Sequence, residues 1–189
     1  VTGVQTCALP IYILRFLKRW GRKKLKYELL AIDMDGTLLN DSKLIGEKSI
    51  EYIKKAVDKG IKFVIASGRV PGGLRYYKYI ISRNQPLICC NGAIILDHNK
   101  NIISERPLSK DSILKIVDVL RQKKDTYYHF YDGDVLCCEQ FELAAKRFYK
   151  FNRGLERKYR MEIKIVADTK EYVQRSRHDI NKIVVIDKD

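Results

Sequence analysis

Three short apolar runs, each followed at once by polar and glycine residues, alternate with helical patterns over the first half of the chain. The runs are Tyr27–Asp33, Ile61–Ala66 and Pro86–Cys90. Between them, Ser49–Lys59 carries apolar residues at helical spacing, and Pro71 is suited to the first turn of a second helix. Strands that are joined by helices run parallel, through right-handed crossovers. The pattern therefore predicts an α/β fold, with a parallel sheet covered by helices.

The pattern changes after Asp97, and the second half is predicted to form a separate α+β unit that begins near Leu108. Ser109 is a suitable cap for a helix, and the turn Asp132-Gly133-Asp134 lies between two runs with strand character. We expect a first domain at residues 26–107 and a second at 108–189. The strands predicted after Asp97 are Ile102–Glu105, Tyr127–Tyr131, Val135–Glu139, Met161–Val166 and Lys182–Ile186.

The first apolar run ends in Asp33-Met34-Asp35-Gly36-Thr37. Open parallel sheets bind ligands at the carboxyl ends of their strands. Residues two apart on a strand end project to the same side, so both carboxylates can meet one substrate. Gly36 allows a sharp turn that brings backbone N–H groups close to an anion, and Thr37 adds a hydroxyl donor. An aspartate can attack phosphorus, and a second one can transfer the protons.

Two carboxylates next to a phosphate repel it strongly unless a hard cation neutralises them, and Mg²⁺ prefers oxygen ligands. The alternative interpretation of Asp-x-Asp-Gly is a turn or a calcium loop. A calcium loop needs a further acidic ligand and a terminal Glu. Thr37-Leu38-Leu39 supplies neither.

The second apolar run leads directly into Ser67-Gly68-Arg69. If the first two strands are parallel neighbours, Ser67 lies beside Asp33, where its hydroxyl can bind a phosphoryl oxygen. Arg69 is a candidate for contact with the rest of the substrate. The alternative for Arg69 is a surface residue at the start of a helix.

Three segments together resemble the haloacid dehalogenase-like phosphatases of the Cof type. They are Asp33-Met34-Asp35-Gly36-Thr37-Leu38-Leu39-Asn40, Ala66-Ser67-Gly68-Arg69 and Cys90-Asn91-Gly92-Ala93. The resemblance covers about residues 26–189, in order and with fitting gaps. It implies a Rossmann-like core, here partial with three parallel strands, and an inserted α+β cap domain.

The resemblance also implies residue roles. Asp33 corresponds to the nucleophile, Asp35 to the general acid and base, and Ser67 to the hydroxyl after the second strand. Mg²⁺ would be bound by the Asp33 carboxylate and the Asp35 backbone carbonyl. The residues expected to bind substrate are Gly36, Thr37, Gly68, Arg69, Asn91 and Gly92.

The implied function is Mg²⁺-dependent hydrolysis of small phosphorylated metabolites, either sugar phosphates or phosphorylated cofactors, through an aspartyl-phosphate. The alternatives are a phosphomutase with the same chemistry and a non-catalytic protein that binds phosphate. In the family the cap selects the substrate, which makes His129, Tyr131 and Asp132 on the second hairpin candidates for that role. The alternative is that these three are ordinary strand and turn residues.

The family also requires a Lys after the cap and a later acidic motif, and no such acidic motif follows Asn91 in this chain. We therefore expect a fragment that shows no phosphatase turnover by itself. Residues 1–25 contain six basic residues and no acidic one, and their first eleven resemble a translated sequencing adapter. We expect that this segment is not native. The alternative is a basic amphipathic anchor.

Composition bounds the remaining possibilities. The chain has 189 residues and a formal net charge of +14, with no apolar run near the roughly 20 residues of a membrane span. The basic residues beyond the first 25 are spread over helices, which predicts solvated faces and attraction for phosphorylated substrates, not nucleic-acid binding. The five cysteines form no Cys-x-x-Cys pattern and predict small buried side chains in a reducing cytoplasm. The oligomeric state is not predicted.

Overall fold

The computed structural model describes residues 27–81, 84–123, 125–178 and 180–187. The segment 1–25, which the sequence suggests is non-native, lies outside these residues. The chain divides into two compact units. Of the described residues, the first unit contains those up to Gly68 together with those from Tyr77 to Ile103, and the second contains Arg69–Tyr76 and those from Ser104 onward.

The first sheet has five strands in the order β1-β2-β3-β4-β5. The first three strands are parallel neighbours, and β4 runs antiparallel to β3. This confirms the α/β class with three parallel strands. The strands are β1 Leu29–Asp33, β2 Lys62–Ala66, β3 Leu87–Cys89, β4 Ile94–Leu96 and β5 Ile102–Glu105.

Two helices follow from the pattern of apolar residues in the first half. Helix α1, Glu47–Asp58, buries Ile53 and Ala56, and Gly60 stands just beyond its end with a φ of +89°. The helix predicted from Pro71 differs in its first turn. Pro71–Leu74 is a 3₁₀ turn, and the α-helix α2 begins at Arg75 and ends at Ile81.

The second unit contains a four-stranded sheet in the order β8-β7-β6-β9. Strand β6 pairs antiparallel with both β7 and β9, whereas β8 runs parallel to β7. A parallel neighbour requires a crossover, and helix α4 lies between β7 and β8 in the chain. The elements are α3 Lys110–Arg121, β6 Thr126–Asp132, β7 Val135–Cys138, α4 Leu143–Arg153, β8 Ile163–Ile165, α5 Thr169–Arg175 and β9 Ile180–Asp187.

Side-chain caps begin two of these helices. The Ser109 hydroxyl accepts a hydrogen bond from the Ser112 N–H at 3.1 Å at the start of α3, as the sequence predicts. The Asp168 carboxylate accepts one from the Glu171 N–H at 2.8 Å at the start of α5. Helix α5 is not among the predicted elements. The core of the unit is formed by Ile113, Val117, Phe130, Cys137, Val166, Val173 and Ile180.

The four cysteines in the described residues have the predicted environment. Cys89, Cys90, Cys137 and Cys138 are free and buried. Burial raises the pKa of the Cys137 thiol to about 11, which keeps it protonated and unreactive at neutral pH. None of the described helices combines the length and the apolar character needed to cross a membrane.

Candidate active site at the ends of the first two strands

The two aspartates of the first motif lie at the carboxyl end of β1. Asp33 is the last residue of the strand and pairs in register with Ala66 of β2. Asp33 and Asp35 are exposed, whereas Met34 between them is fully buried. The buried methionine anchors this turn in the core, so the two flanking carboxylates are presented to solvent.

The turn after Asp33 is closed by the backbone. The Leu39 N–H donates to the Met34 carbonyl at 2.9 Å, and this bond encloses Gly36 and Thr37. Gly36 has a φ of +78°, a conformation that other residues adopt only with strain. The chain can therefore turn back directly after Asp35 because a glycine occupies this position.

Lys43 forms an ion pair with Asp35, with 3.1 Å between Nζ and Oδ1. This lysine is not part of any of the three sequence motifs. Both side chains are about half exposed, at 54% and 45%. An exposed pair of this kind contributes little to stability, so Asp35 can exchange this partner for another at low cost.

The second and third motifs are tied together by backbone hydrogen bonds. The Ser67 N–H donates to the Ile88 carbonyl at 2.9 Å, and the Asn91 N–H donates to the Ser67 carbonyl at 3.2 Å. Ser67 is 6% exposed. Because Asp33 pairs with the residue before Ser67, the structure brings the ends of all three strands to one edge of the sheet.

A close approach between Gly68 and Asn91 shapes this edge. A Cβ atom at Gly68 would lie 2.8 Å from the Asn91 Oδ1, a distance that real Cβ atoms do not tolerate. Asn91 itself has a φ of +55°, and Cys90 and Gly92 also have positive φ values. Left-handed backbone at consecutive positions is costly and is concentrated at functional sites. The Asn-Gly pair therefore holds a constrained loop against Gly68.

Other candidate residues are placed differently. Arg69 belongs to the second unit, so its contact with substrate stays a prediction. His129, Tyr131 and Asp132 are all buried within the second unit. Burial, with a smaller effect of the Lys182 charge, lowers the pKa of His129 to about 4. Their burial favours the structural interpretation of these three residues.

The donor set at the edge fits a hard divalent cation. The Asp33 carboxylate and the Asp35 carbonyl are oxygen ligands, and Mg²⁺ in proteins typically takes one or two carboxylates together with substrate phosphate and waters. Within the described parts of the chain, no group of three or more His, Cys, Asp or Glu side chains is arranged to hold a metal ion. Asp33 and Asp35 thus supply oxygen donors of the kind that Mg²⁺ prefers, and a magnesium site at this edge stays a prediction.

Comparisons with known proteins agree with this geometry. A profile of the haloacid dehalogenase-like hydrolases matches residues 30–189, and the chain therefore belongs to that family. The Cof-type resemblance is confirmed by its relatives. One is the 5-amino-6-(5-phospho-D-ribitylamino)uracil phosphatase YcsE of Bacillus subtilis, which is 38% identical over 107 residues, 57% of this chain and 43% of that protein.

Two further matches extend the comparison. The pyridoxal phosphate phosphatase YbhA of Escherichia coli is 30% identical over 95 residues, covering 50% of this chain and 35% of that protein. The crystal structure of a haloacid dehalogenase-like hydrolase from Bacteroides thetaiotaomicron shares the fold with a TM-score of 0.64 at 24% identity. That match covers 76% of this chain and 53% of the other. The chain thus spans about half or less of the length of the proteins it matches.

Proposed function

We propose that the protein to which this chain belongs hydrolyses small phosphorylated metabolites, sugar phosphates or phosphorylated cofactors, with the help of Mg²⁺. The observation that carries this proposal is the arrangement of Asp33 and Asp35. Both carboxylates are exposed at the end of β1, beside the loop of Ser67. The phosphatase names of the relatives support the same reaction class.

In the first step an Asp33 carboxylate oxygen attacks the phosphorus of the substrate. The new P–O bond joins the phosphoryl group to Asp33, and the P–O bond to the leaving group breaks. The leaving oxygen takes the proton that the Asp35 carboxylic acid holds, and the dephosphorylated part of the substrate departs as an alcohol. Asp35 must therefore release Lys43, its partner in this structure.

In the second step a water molecule attacks the same phosphorus. Asp35, now a carboxylate, takes the proton of that water, and the P–O bond to Asp33 breaks. Inorganic phosphate leaves, Asp33 returns as a carboxylate, and Asp35 is protonated again for the next cycle. Both steps need the carboxylates on one side of the turn, and the burial of Met34 between them favours that placement.

The remaining residues of the edge bind and orient the substrate. The Ser67 hydroxyl binds a phosphoryl oxygen, and the turn of Gly36 and Thr37 offers backbone and hydroxyl donors to the others. Asn91 and Gly68 fix the floor of the site through their close approach. When bound by Asp33 and Asp35, Mg²⁺ would neutralise the negative charge that the carboxylates and the phosphate bring together. The second unit acts as a cap that selects the substrate.

The proposal is tested on a chimera that joins residues 30–189 to the remaining sequence of the B. subtilis relative. We expect magnesium-dependent hydrolysis of p-nitrophenyl phosphate, and loss of at least a thousandfold in kcat for Asp33→Asn. The 189-residue chain by itself is the matched control and is expected to show no turnover.

The same variant separates the enzyme from a phosphate-binding protein. Asp33→Asn is expected to abolish turnover while phosphate binding, measured by calorimetry, is largely retained. Transfer of the phosphoryl group to an added sugar phosphate instead of water would identify a phosphomutase. A folded chimera whose Asp33→Asn variant keeps full turnover would overturn the proposed chemistry.

A further inference from the structure

One segment of the second unit carries a large local excess of positive charge. Residues 146–164 contain eight Lys and Arg and two Glu, a net charge of +6 out of +14 for the whole chain. A local excess of this size attracts anions and increases their concentration at the surface.

The same segment surrounds a pocket of about 460 Å³, which we call the Tyr149 pocket. Its volume falls within the range of roughly 300–1,000 Å³ that is typical of small-molecule sites. All of its lining residues come from α4, β8 and the segment between them. They are Tyr149, Asn152, Arg153, Arg160, Met161 and Ile163.

Hydrogen bonds fix the walls of the pocket. The buried Asn152 side chain donates from Nδ2 to the Met161 carbonyl at 2.7 Å and accepts from the Met161 N–H at 3.1 Å. These bonds join the end of α4 to the residues that lead into β8. The Arg160 Nε donates to the Leu155 carbonyl at 2.9 Å. The pocket is therefore held in shape without a ligand, which lowers the entropic cost of binding.

Two guanidinium groups, those of Arg153 and Arg160, belong to the lining of the pocket. Neither Arg153 nor Arg160 forms an ion pair with a carboxylate of the residues that the structure describes. The Nε of Arg160 is occupied by a backbone carbonyl, so its terminal nitrogens remain as donors. A planar guanidinium matches the oxygens of a phosphate, which it can bind through two parallel hydrogen bonds.

An aromatic ring stands beside these charges. Tyr149 is 52% exposed, and its ring packs edge-to-face on Phe141 with 5.7 Å between the centroids. This contact orients the ring, while much of the side chain remains open to solvent. Met161 and Ile163 add apolar surface to the lining. An exposed ring next to unpaired cations suits a ligand that combines a planar group with an anion.

We propose that the Tyr149 pocket binds a small organic phosphate that carries a planar ring, of the nucleoside monophosphate class. Arg153 and Arg160 hold the phosphate, and the ring of the ligand lies on Tyr149. The site lies wholly within the second unit and takes part in no bond-breaking step, so it does not depend on the proposed hydrolysis. A pocket of this volume is suited to a small ligand.

The test is calorimetric titration of the 189-residue chain with 5′-AMP, ribose 5-phosphate and inorganic phosphate. We expect 5′-AMP to bind at least tenfold more tightly than the other two. The double variant Arg153→Gln/Arg160→Gln should weaken 5′-AMP binding at least tenfold. Arg147→Gln, an exposed arginine of the same helix outside the lining, is the matched control and should change it less than twofold.

Two more variants complete the test, with circular dichroism melting curves to show that each is folded. Tyr149→Leu should reduce the affinity for 5′-AMP to that for ribose 5-phosphate. Asp33→Asn should leave 5′-AMP binding unchanged, and this result separates the pocket from the candidate active site. If Asp33→Asn abolishes binding, if Arg147→Gln weakens it as much as the double variant, or if Tyr149→Leu has no effect, the proposal is wrong. Binding of a single-stranded RNA without binding of 5′-AMP would also overturn it.

Discussion

At the scale of single residues, the close approach of Gly68 and Asn91 makes the candidate site sensitive to one methyl group. Gly68→Ala would place a Cβ atom 2.8 Å from the Asn91 Oδ1, so the asparagine must move. In the chimera we expect kcat/KM to fall by about tenfold or more, because small misplacements at a reacting centre are costly.

Gly46→Ala is the control for this substitution. Its added Cβ would meet only the Ser49 Oγ, at an ordinary 3.9 Å. Steady-state kinetics of both variants provide the measurement. Equal activity of the Gly68 variant and the unsubstituted chimera would show that the position of Asn91 does not matter for turnover.

His129 illustrates how a buried titratable group makes stability depend on pH. It is 1% exposed, its Nε2 lies 3.2 Å from the Tyr131 Oη, and its Nδ1 has no hydrogen-bond partner among the described residues. Burial lowers its pKa from 6.5 to about 4. Between these values the unfolded chain binds a proton that the folded chain does not, so stability falls as the pH falls.

The expected loss from this group is about 3 kcal/mol in the free energy of unfolding between pH 7 and pH 4. Denaturant unfolding across this range provides the measurement, as the difference between the wild type and His129→Phe. His98→Gln, a change at an exposed histidine, should keep the wild-type dependence. If the free energy of unfolding of the His129→Phe variant falls with pH as steeply as that of the wild type, His129 does not cause the loss.

At the scale of elements, Asp134 determines the geometry of the turn that precedes α2. Its carboxylate accepts a hydrogen bond from the Gly72 N–H and forms an ion pair with Arg75 at 2.6 Å. A Cβ atom at Gly72 would lie 2.8 Å from the Asp134 Cγ. Gly72→Ala should therefore lower the free energy of unfolding by about 1–3 kcal/mol, as overpacking does.

A double-mutant cycle isolates this contact. In an Asp134→Ala background the obstructing carboxylate is gone, so Gly72→Ala should cost much less than in the wild type. Gly73→Ala is the neighbouring control, because its added Cβ would lie at an ordinary contact distance of 3.7 Å from the Arg69 Cβ. If the losses in the free energy of unfolding from Gly72→Ala and Asp134→Ala simply add, the contact between these two residues is not the cause.

The same elements show what a sequence can reveal. Strands β1 and β2 end at Asp33 and Ala66 as predicted, because apolar runs followed by polar motifs mark strand ends. The 3₁₀ turn at Pro71 was not predictable, since its partner Asp134 is 62 residues away in the chain. Helix α5 is only seven residues long and buries just Thr169 and Val173, which is too little for a periodic signal.

The candidate site likewise contains residues that the sequence predicts and residues that it does not. The aspartates and Ser67 follow strand ends, and local chemistry was enough to single them out, whereas Asn91 was identified through the family resemblance. The ion pair between Asp35 and Lys43 has no such mark, because it depends on how the segment after Asp35 folds back. Contacts that only the tertiary structure creates cannot be predicted from hydrophobic patterns or from helix and strand propensities.

At the scale of the whole molecule, β1 has a feature that affects association. It lies at one end of the first sheet, and no described strand pairs with its outer edge. Leu29 on this strand is 54% exposed, and Tyr27 just before it is 48% exposed. An exposed apolar edge strand offers unpaired backbone groups to a second copy of the chain. We therefore expect the chain to self-associate as its concentration rises.

Leu29→Lys tests this expectation, because a charged side chain on an edge strand opposes pairing between chains. Multi-angle light scattering should show a lower weight-average mass for this variant than for the wild type at equal concentration. Val119→Lys on α3 is the control, since Val119 is similarly exposed at 58% but lies on a helix, whose backbone groups are already bonded. If both lysine variants reduce association equally, general charge repulsion is responsible. If only Leu29→Lys does, association proceeds through the edge of β1.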